Sequence, residues 1–339
     1  MQRLIAYIFF LVACSKLYAQ DIHYSQFYAD PLFINCANTG YFKGAYRLGA
    51  NYKAQWSFAV PSGIGTYNSY GGFADLSILD NKINDLDWMG VGLHFSGDVA
   101  GDGKLGIKRL HFSLAYHKGF DKQNHFMLSA GFAGGIVQRS IDFEKLYFNN
   151  QWTGEGFDQS VNNFEPYNKP RSMYADMDAG IALHMAFNEL HRLSISASLK
   201  HINRPKDTFY NSLNRLAMRP LLSVQYDYAI SPVQNLMTAL YFSHDKKAKE
   251  IAIAALYSFK PAGVKSESAF DVVLHYRMGD AFAPGIGYEF RQMRILFSYD
   301  ITTSNLSRAN RGNGGPEISI VYVGNRKKSL DRKQYCPVF

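Results

Sequence analysis

The segment YRLGANYKAQWSF, which starts at Tyr46, alternates without a slip: Leu48, Ala50, Tyr52, Ala54 and Trp56 share one parity, and Gly49, Asn51, Lys53, Gln55 and Ser57 the other. A period of two marks a β-strand with one apolar and one polar face. A strand of a soluble domain needs only about five or six residues, so the length of this one raises the question of what its apolar side meets. The pattern recurs. In LHFSLAYH, Leu110, Phe112, Leu114 and Tyr116 alternate with His111, Ser113, Ala115 and His117; in LSISASLK, Leu193, Ile195, Ala197 and Leu199 alternate with serines; EISIVY repeats it with Ile318, Ile320 and Tyr322. Stretches of this kind, bounded by turn residues, are predicted at 46–58, 66–79, 88–96, 106–118, 125–138, 173–187, 191–201, 215–229, 235–244, 249–260, 269–278, 282–290, 293–302 and 315–323. Most reach the roughly 9–11 residues that a tilted strand needs to cross an outer membrane.

After residue 20 no run of apolar residues is long enough for a membrane helix. Only helices and closed barrels satisfy every backbone group inside lipid. The sequence therefore predicts an all-β chain, a transmembrane antiparallel β-barrel of the outer-membrane type with about 14 strands (12–16 allowed). Tyr52, Ala54 and Trp56 are expected toward lipid, and Lys53 and Gln55 toward the lumen. With the mature N-terminus in the periplasm, the odd-numbered connections are extracellular, and the longest gaps (97–105, 139–172, 202–214 and 303–314) all fall on that side. A surface strand of a soluble β protein is the competing reading.

Composition agrees. Tyr (23), Phe (25) and Gly (28) are abundant, which favours strands and turns. The formal charge is +8, but the basic residues are scattered among strands with no nucleic-acid-binding motif, so nucleic acid is not an expected partner. One basic cluster stands apart, NRKKSLDRK, carrying Arg326, Lys327, Lys328, Arg332 and Lys333 after the last strand. At the other end Arg3, the apolar run Leu4–Ala13 and the pair Ala19–Gln20 have the order of a secretory signal peptide cleaved after Ala19. LVAC, ending at Cys14, resembles a lipoprotein box and offers Cys14 lipidation as the alternative. The expected organisation is a signal peptide at 1–19, a periplasmic segment at 20–45, the barrel at 46–323 and a basic periplasmic tail at 324–339.

Motifs for chemistry are absent. GDVAGDGKLG (97–106) has Asp98 where a phosphate loop needs Gly, and lacks the downstream Glu of a calcium loop, so it reads as a hairpin loop. His94, His111, His117 and His275 lie within strands and suit a lumen better than a metal. No nucleophile elbow occurs. The expectation is a non-enzyme without cofactors. The polar stretch 149–172 carries Trp152 and Phe157 among its aromatics; it is read either as a partner-binding loop or as one that folds inward to plug the pore.

The mature start, QDIHYSQFYADPLFINCANTGYFKGAYRLGANYKAQW, resembles the opening of the PorP/SprF family of type IX secretion outer-membrane proteins, with Q-D-P-x-F-S-Q-Y-x-x-N-P-L-x-I-N-P-A-x-x-G followed by Y-R-x-Q-W. The matching positions include Ser25, Gln26, Pro31, Asn35, Gly40, Tyr52, Gln55 and Trp56. Cys36 stands where Pro is usual, Asp30 where Asn is usual, and Lys53 replaces Arg. The resemblance implies a barrel component of a type IX protein secretion system, in some members serving gliding adhesins. It implies protein contacts with secreted cargo, a periplasmic lipoprotein ring and a peptidoglycan-binding protein, with outer-membrane lipid around it. Trp152, Phe157 and the basic cluster are the candidate contacts. A passive porin or small-solute transport barrel is the alternative. Cys36 and Cys336, both on the expected periplasmic side, are candidates for a disulfide.

Overall fold

The computed structural model describes residues 23–57, 66–79, 82–83, 86–121, 125–165, 170–209, 214–245 and 248–324. Among them fourteen strands form: β1 (Tyr46–Gln55), β2 (Tyr67–Ile78), β3 (Trp88–Ala100), β4 (Leu105–Gly119), β5 (Phe126–Ser140), β6 (Arg171–Ala186), β7 (His191–Lys200), β8 (Arg219–Ser231), β9 (Gln234–Asp245), β10 (Ala248–Phe259), β11 (Ser268–Arg277), β12 (Ala281–Phe290), β13 (Met293–Thr302) and β14 (Asn313–Gly324). Each pairs antiparallel with its sequence neighbours. β1 also pairs with β14, from Tyr46 opposite Gly324 to Lys53 opposite Glu317, and this closes the ring. Closure leaves no open edge, which is the condition for a sheet to survive in hydrocarbon.

The two faces have exchanged the roles they hold in a soluble protein. On β4, Leu110, Phe112, Leu114 and Tyr116 are exposed, while His111, Ser113, Ala115 and His117 are buried. Ile136, Ile181, Leu222, Val272 and Ile286 likewise stand outward with 51–66% of their surface free. A belt of large exposed aliphatics around a polar interior marks a membrane barrel, because lipid is the solvent for alternate side chains. No helix among the described residues is long and apolar enough to cross a membrane.

Differences from the expected strands lie at their ends. β3 runs on to Ala100 and β4 starts at Leu105, so most of GDVAGDGKLG is ladder and only Gly101–Lys104 turns, with Gly101 at φ +64°. β1 stops at Gln55: its pairing with β14 ends at Lys53, and Trp56 adopts φ +62° outside the strand. Tyr52 faces outward as expected, but Ala54 is buried at this strand end, and Trp56 is half-buried with its ring 5.0 Å from that of Tyr67.

The segment 20–45 requires a correction. Residues 24–42 do not hang outside the barrel; they pack within it as three short helical turns, Phe27–Ala29, Pro31–Ile34 and Cys36–Asn38, touching inward residues all around the ring. Tyr24, Phe27, Tyr28, Phe33 and Ile34 are apolar side chains that water would reject. The inner wall of β8 to β13 supplies their counterpart in Leu221, Met237, Tyr241, Leu256, Val273 and Leu296.

Candidate functional site

The plug is held by polar anchors spaced along it. At its start, the backbone N–H groups of Ser25 and Gln26 donate to the two carboxylate oxygens of Glu317 on β14, at 2.8 Å each. Gln26 Nε2 donates to Ser298 Oγ on β13 (2.8 Å), and Ser319 Oγ donates to Gln26 Oε1. Ser25 Oγ donates to Asp300 (2.7 Å) and accepts from Arg277 (3.1 Å). Lys53, 1% exposed, sits at the centre, 2.8 Å from Asp300 and 3.6 Å from Glu317. The adjacent signature residues Ser25 and Gln26 thus bind the seam where the barrel closes.

Further along, Tyr28 stacks on His275 and its hydroxyl lies 3.1 Å from Nε2. Asp30 caps the next turn, accepting from Phe33 N–H at 3.0 Å through one oxygen; the other lies 3.0 Å from His94 Nε2 on β3. Pro31 occupies the first helical position, where its missing N–H costs nothing. Asn35 caps the following turn through Ala37 N–H (2.8 Å), and its amide donates to the carbonyls of Ile181 and Ala197 on β6 and β7. A Cβ on Gly180 would fall 1.9 Å from Asn35 Oδ1, and one on Gly131 would fall 2.5 Å from the Cys36 carbonyl carbon, so these bare positions on β5 and β6 seat the plug. At its far end Gly40 N–H donates to Asp75 (2.7 Å), which also receives Arg47 through both oxygens at 3.0 and 2.8 Å; Trp88 Nε1 donates to Gly40 O. Tyr41 stacks on His184 with ring centroids 3.6 Å apart.

Burial tunes the plug's ionisable groups. It raises the Tyr24 and Tyr28 hydroxyls well above the ordinary phenol range and pushes the Cys36 thiol up to about 12, with the Asp178 charge adding to the effect. Cys36 is 4% exposed, its Sγ 3.9 Å from the Asp178 carbonyl oxygen, so it faces the lumen; Cys336 lies outside the described residues. Among the described residues Asp176, Asp178 and His201 come close enough to hold a metal ion.

The structure unites some of the expected residues and separates others. Ser25, Gln26, Pro31, Asn35 and Gly40 all belong to the plug. Tyr52 and Gln55 do not: Tyr52 is on the outer face, its hydroxyl 3.2 Å from Asn68, and Gln55 ends β1 opposite Tyr67. Trp152 and Phe157 form an isolated bridge in the β5–β6 connection, with ring centroids 5.0 Å apart and 53% and 49% of their surface exposed. Among the described residues that loop does not enter the pore: 152–165 is almost entirely exposed, and the N-terminal segment packs in the lumen. Ala19, Gln20, Cys14, Arg326, Lys327, Lys328, Arg332 and Lys333 lie outside the described residues. Sequence reasoning missed Asp75, Arg277, Asp300 and Glu317. Their signal was present, charged residues at the inward parity of long strands, but only the plug shows what they bind.

Comparison places this geometry among known folds. The TodX deltaS2S3 mutant monoaromatic hydrocarbon channel superposes with a TM-score of 0.53 at 8% identity, over 87% of this chain and 94% of that one. A Pseudomonas aeruginosa FadL homologue gives 0.50 at 10% identity over 87% and 94%, and the P. putida toluene transporter TodX 0.50 at 8% over 87% and 93%. At such identities the likeness is one of fold. No curated protein sequence matches the chain. A family profile described as type IX secretion system membrane protein PorP/SprF matches residues 16–322, nearly the whole barrel and its plug. A closed fourteen-strand barrel filled by its own N-terminal segment is thus the form taken here by a member of the PorP/SprF family of type IX secretion system membrane proteins.

Proposed function

We propose that the chain is a non-enzymatic outer-membrane component of a type IX secretion system that works through protein contacts with cargo and periplasmic machinery. Family membership over residues 16–322 carries this reading. The plugged lumen supports it, since a barrel packed with its own chain is suited to scaffolding rather than to free diffusion. In this reading residues 1–19 are an export signal cleaved after Ala19, with lipidation of Cys14 as the alternative. The chain ends and the even-numbered connections face the periplasm, where Arg326, Lys327, Lys328, Arg332 and Lys333 meet an acidic partner or the cell wall. The partners proposed are the lipoprotein ring and the peptidoglycan-binding protein, and gliding adhesins are the first cargo class to test.

The experiment is crosslinking and affinity capture from native membranes, followed by mass spectrometry, alongside export assays in a strain lacking the chain. Capture of secretion-system proteins and loss of export on deletion support the reading; normal export without the chain refutes it. Deleting 325–339 and finding assembly and export unchanged rejects the tail's partner role. A second reading, small-solute transport, draws on the fold shared with hydrocarbon channels. It requires measurable conductance or uptake by the intact barrel, which planar-bilayer recording detects.

A further inference from the structure

Beside the plug, on the β4 to β7 wall, the side chains of Asp176, Asp178 and His201 bring one ligand atom each within 4.8 Å of one another, and His111 stands beside them; the anchoring network uses none of the four. Asp176 and Asp178 are two apart on β6 and face inward together. His201 follows β7 in a left-handed conformation, φ +58°, with its backbone N–H donating to Asp178 Oδ1 at 3.0 Å and its Nδ1 at 2.8 and 2.9 Å from the Asp176 oxygens. His111 comes from β4, two strands away. It can reach because Gly135, its partner on β5 and also the partner of Asp176, carries no side chain: a Cβ there would fall 2.6 Å from the His111 ring. The His111 imidazole, 7% exposed, points Nε2 at Asp176 Oδ2 and Nδ1 at Asp178 Oδ2, each 3.6 Å away, and Nε2 has no hydrogen-bond partner among the described residues.

We propose that Asp176, Asp178 and His201 form a luminal site for one divalent transition-metal ion, best fitted by Zn²⁺, which His111 completes by turning Nε2 onto the ion. Bonds of about 2.0–2.1 Å from imidazole nitrogen and carboxylate oxygen in a tetrahedron place ligand atoms about 3.3 Å apart. Two separations at Asp176 Oδ2, 2.9 Å to His201 Nδ1 and 3.6 Å to His111 Nε2, bracket that value, and the Asp178 ligand atom lies within 4.8 Å of those of Asp176 and His201, so it closes in on the ion when bound. On binding, the ion takes the place of the proton between His201 Nδ1 and Asp176, and that proton passes by way of solvent to His201 Nε2, so the ring binds as a neutral imidazole. Two imidazoles and two carboxylates suit a borderline ion; Ca²⁺ and Mg²⁺ require six or more oxygens. Lys200 and Arg109 line the same small cavity of about 30 Å³, with the Lys200 ammonium 3.9 Å from the centre of the Phe33 ring. Their charge disfavours ions bound by electrostatics alone and leaves those held by imidazole. Leu32 and Phe33 of the plug close the cavity, and His94 opposite them is engaged by Asp30. The ion therefore braces the wall on which the middle of the plug rests.

The test uses the full chain, purified in detergent with a tag free of histidine, stripped with chelator and dialysed against Zn²⁺. Wild type is expected to take up one equivalent. His111→Gln and Asp178→Asn, checked for an intact barrel by heat-modifiable gel mobility, are expected to bind at least about tenfold more weakly. Absence of stoichiometric Zn²⁺ on wild type, or unchanged affinity in both variants, overturns the site and leaves a hydrogen-bonded cluster only. Should the variants misfold, Co²⁺ titration of wild type decides: visible absorption of tetrahedral intensity upholds the site, and its absence overturns it.

Discussion

Lys53 on β1 lies directly opposite Glu317 on β14 at the seam that closes the barrel, and its ammonium reaches both Glu317 (3.6 Å) and Asp300 (2.8 Å). All three side chains are at most 1% exposed, so the cation holds together two carboxylates that would otherwise repel in a place without water. Removing one member of a buried ionic group costs about 3–5 kcal/mol, since the remaining charge is left uncompensated. Lys53→Met is therefore expected to lower the thermal midpoint of the detergent-solubilised barrel markedly. The double variant Lys53→Met/Glu317→Gln is expected to lose less than the sum of the single changes, because it removes the stranded charge as well. Additive losses in a double-mutant cycle would show that the seam does not depend on this pair.

The first anchor makes a prediction about permeability. Gln26 has contacts to Ser298 Oγ, to the Glu317 backbone carbonyl and to Ser319, all buried. Truncating it leaves these groups unsatisfied, at about 1–3 kcal/mol each, while the barrel ladder is untouched. Ser25→Ala/Gln26→Ala should thus loosen the start of the plug without unfolding the strands. In planar bilayers wild type is expected to conduct little and the double variant to show larger or more frequent openings; identical traces would count against the plug as the barrier.

The thiol of Cys36 reports on the plug by pH. Burial raises it to about 12, so the folded chain keeps a proton that the unfolded chain loses at the ordinary thiol value. A raised folded value gives stability that is fully present below the unfolded value and lost as pH climbs toward the folded one. Within that window the thiol's contribution falls by about 1.4 kcal/mol per pH unit. Wild type is expected to lose more stability than Cys36→Ala between neutral pH and strongly alkaline pH. At pH 8 a maleimide should label Cys36 slowly in the folded protein and rapidly in denaturant; equal rates would place Cys36 outside the lumen.

The ring of strands was legible because a two-residue period survives any register: Leu110 and His111 sort to opposite faces whatever their neighbours are. The plug was not legible, although its residues were singled out. Ser25, Gln26 and Asn35 flank short helical turns of three or four residues, too brief to show a period, and most of their partners on the wall lie 146 to 293 positions away in the sequence. Nothing local distinguishes a segment bound for the lumen from one left in the periplasm. The inward charges Asp75, Arg277 and Asp300 were visible as polar positions, but which charge meets which depends on strand stagger and on the plug between them. The pairing of His111 with Asp176 depends equally on Gly135 between them, whose role appears only once β4, β5 and β6 lie side by side.

The aromatic pair in the β5–β6 connection separates a folding role from a binding role. Trp152 and Phe157 meet edge to face at 5.0 Å, and Tyr147 adds a third ring 5.2 Å from Phe157, yet all three remain about half exposed or more. An exposed aromatic pair is worth about 0.5–1.5 kcal/mol to its loop, whereas an aromatic anchor at a protein interface is worth 2 kcal/mol or more when truncated. Trp152→Ala and Phe157→Ala are accordingly expected to leave barrel assembly and its thermal midpoint nearly unchanged. If the loop binds cargo or machinery, each should reduce export and crosslinked yield at least about tenfold at limiting partner. Export and crosslinking at wild-type levels in the double variant would remove this loop from the binding surface and leave its rings as a local clasp.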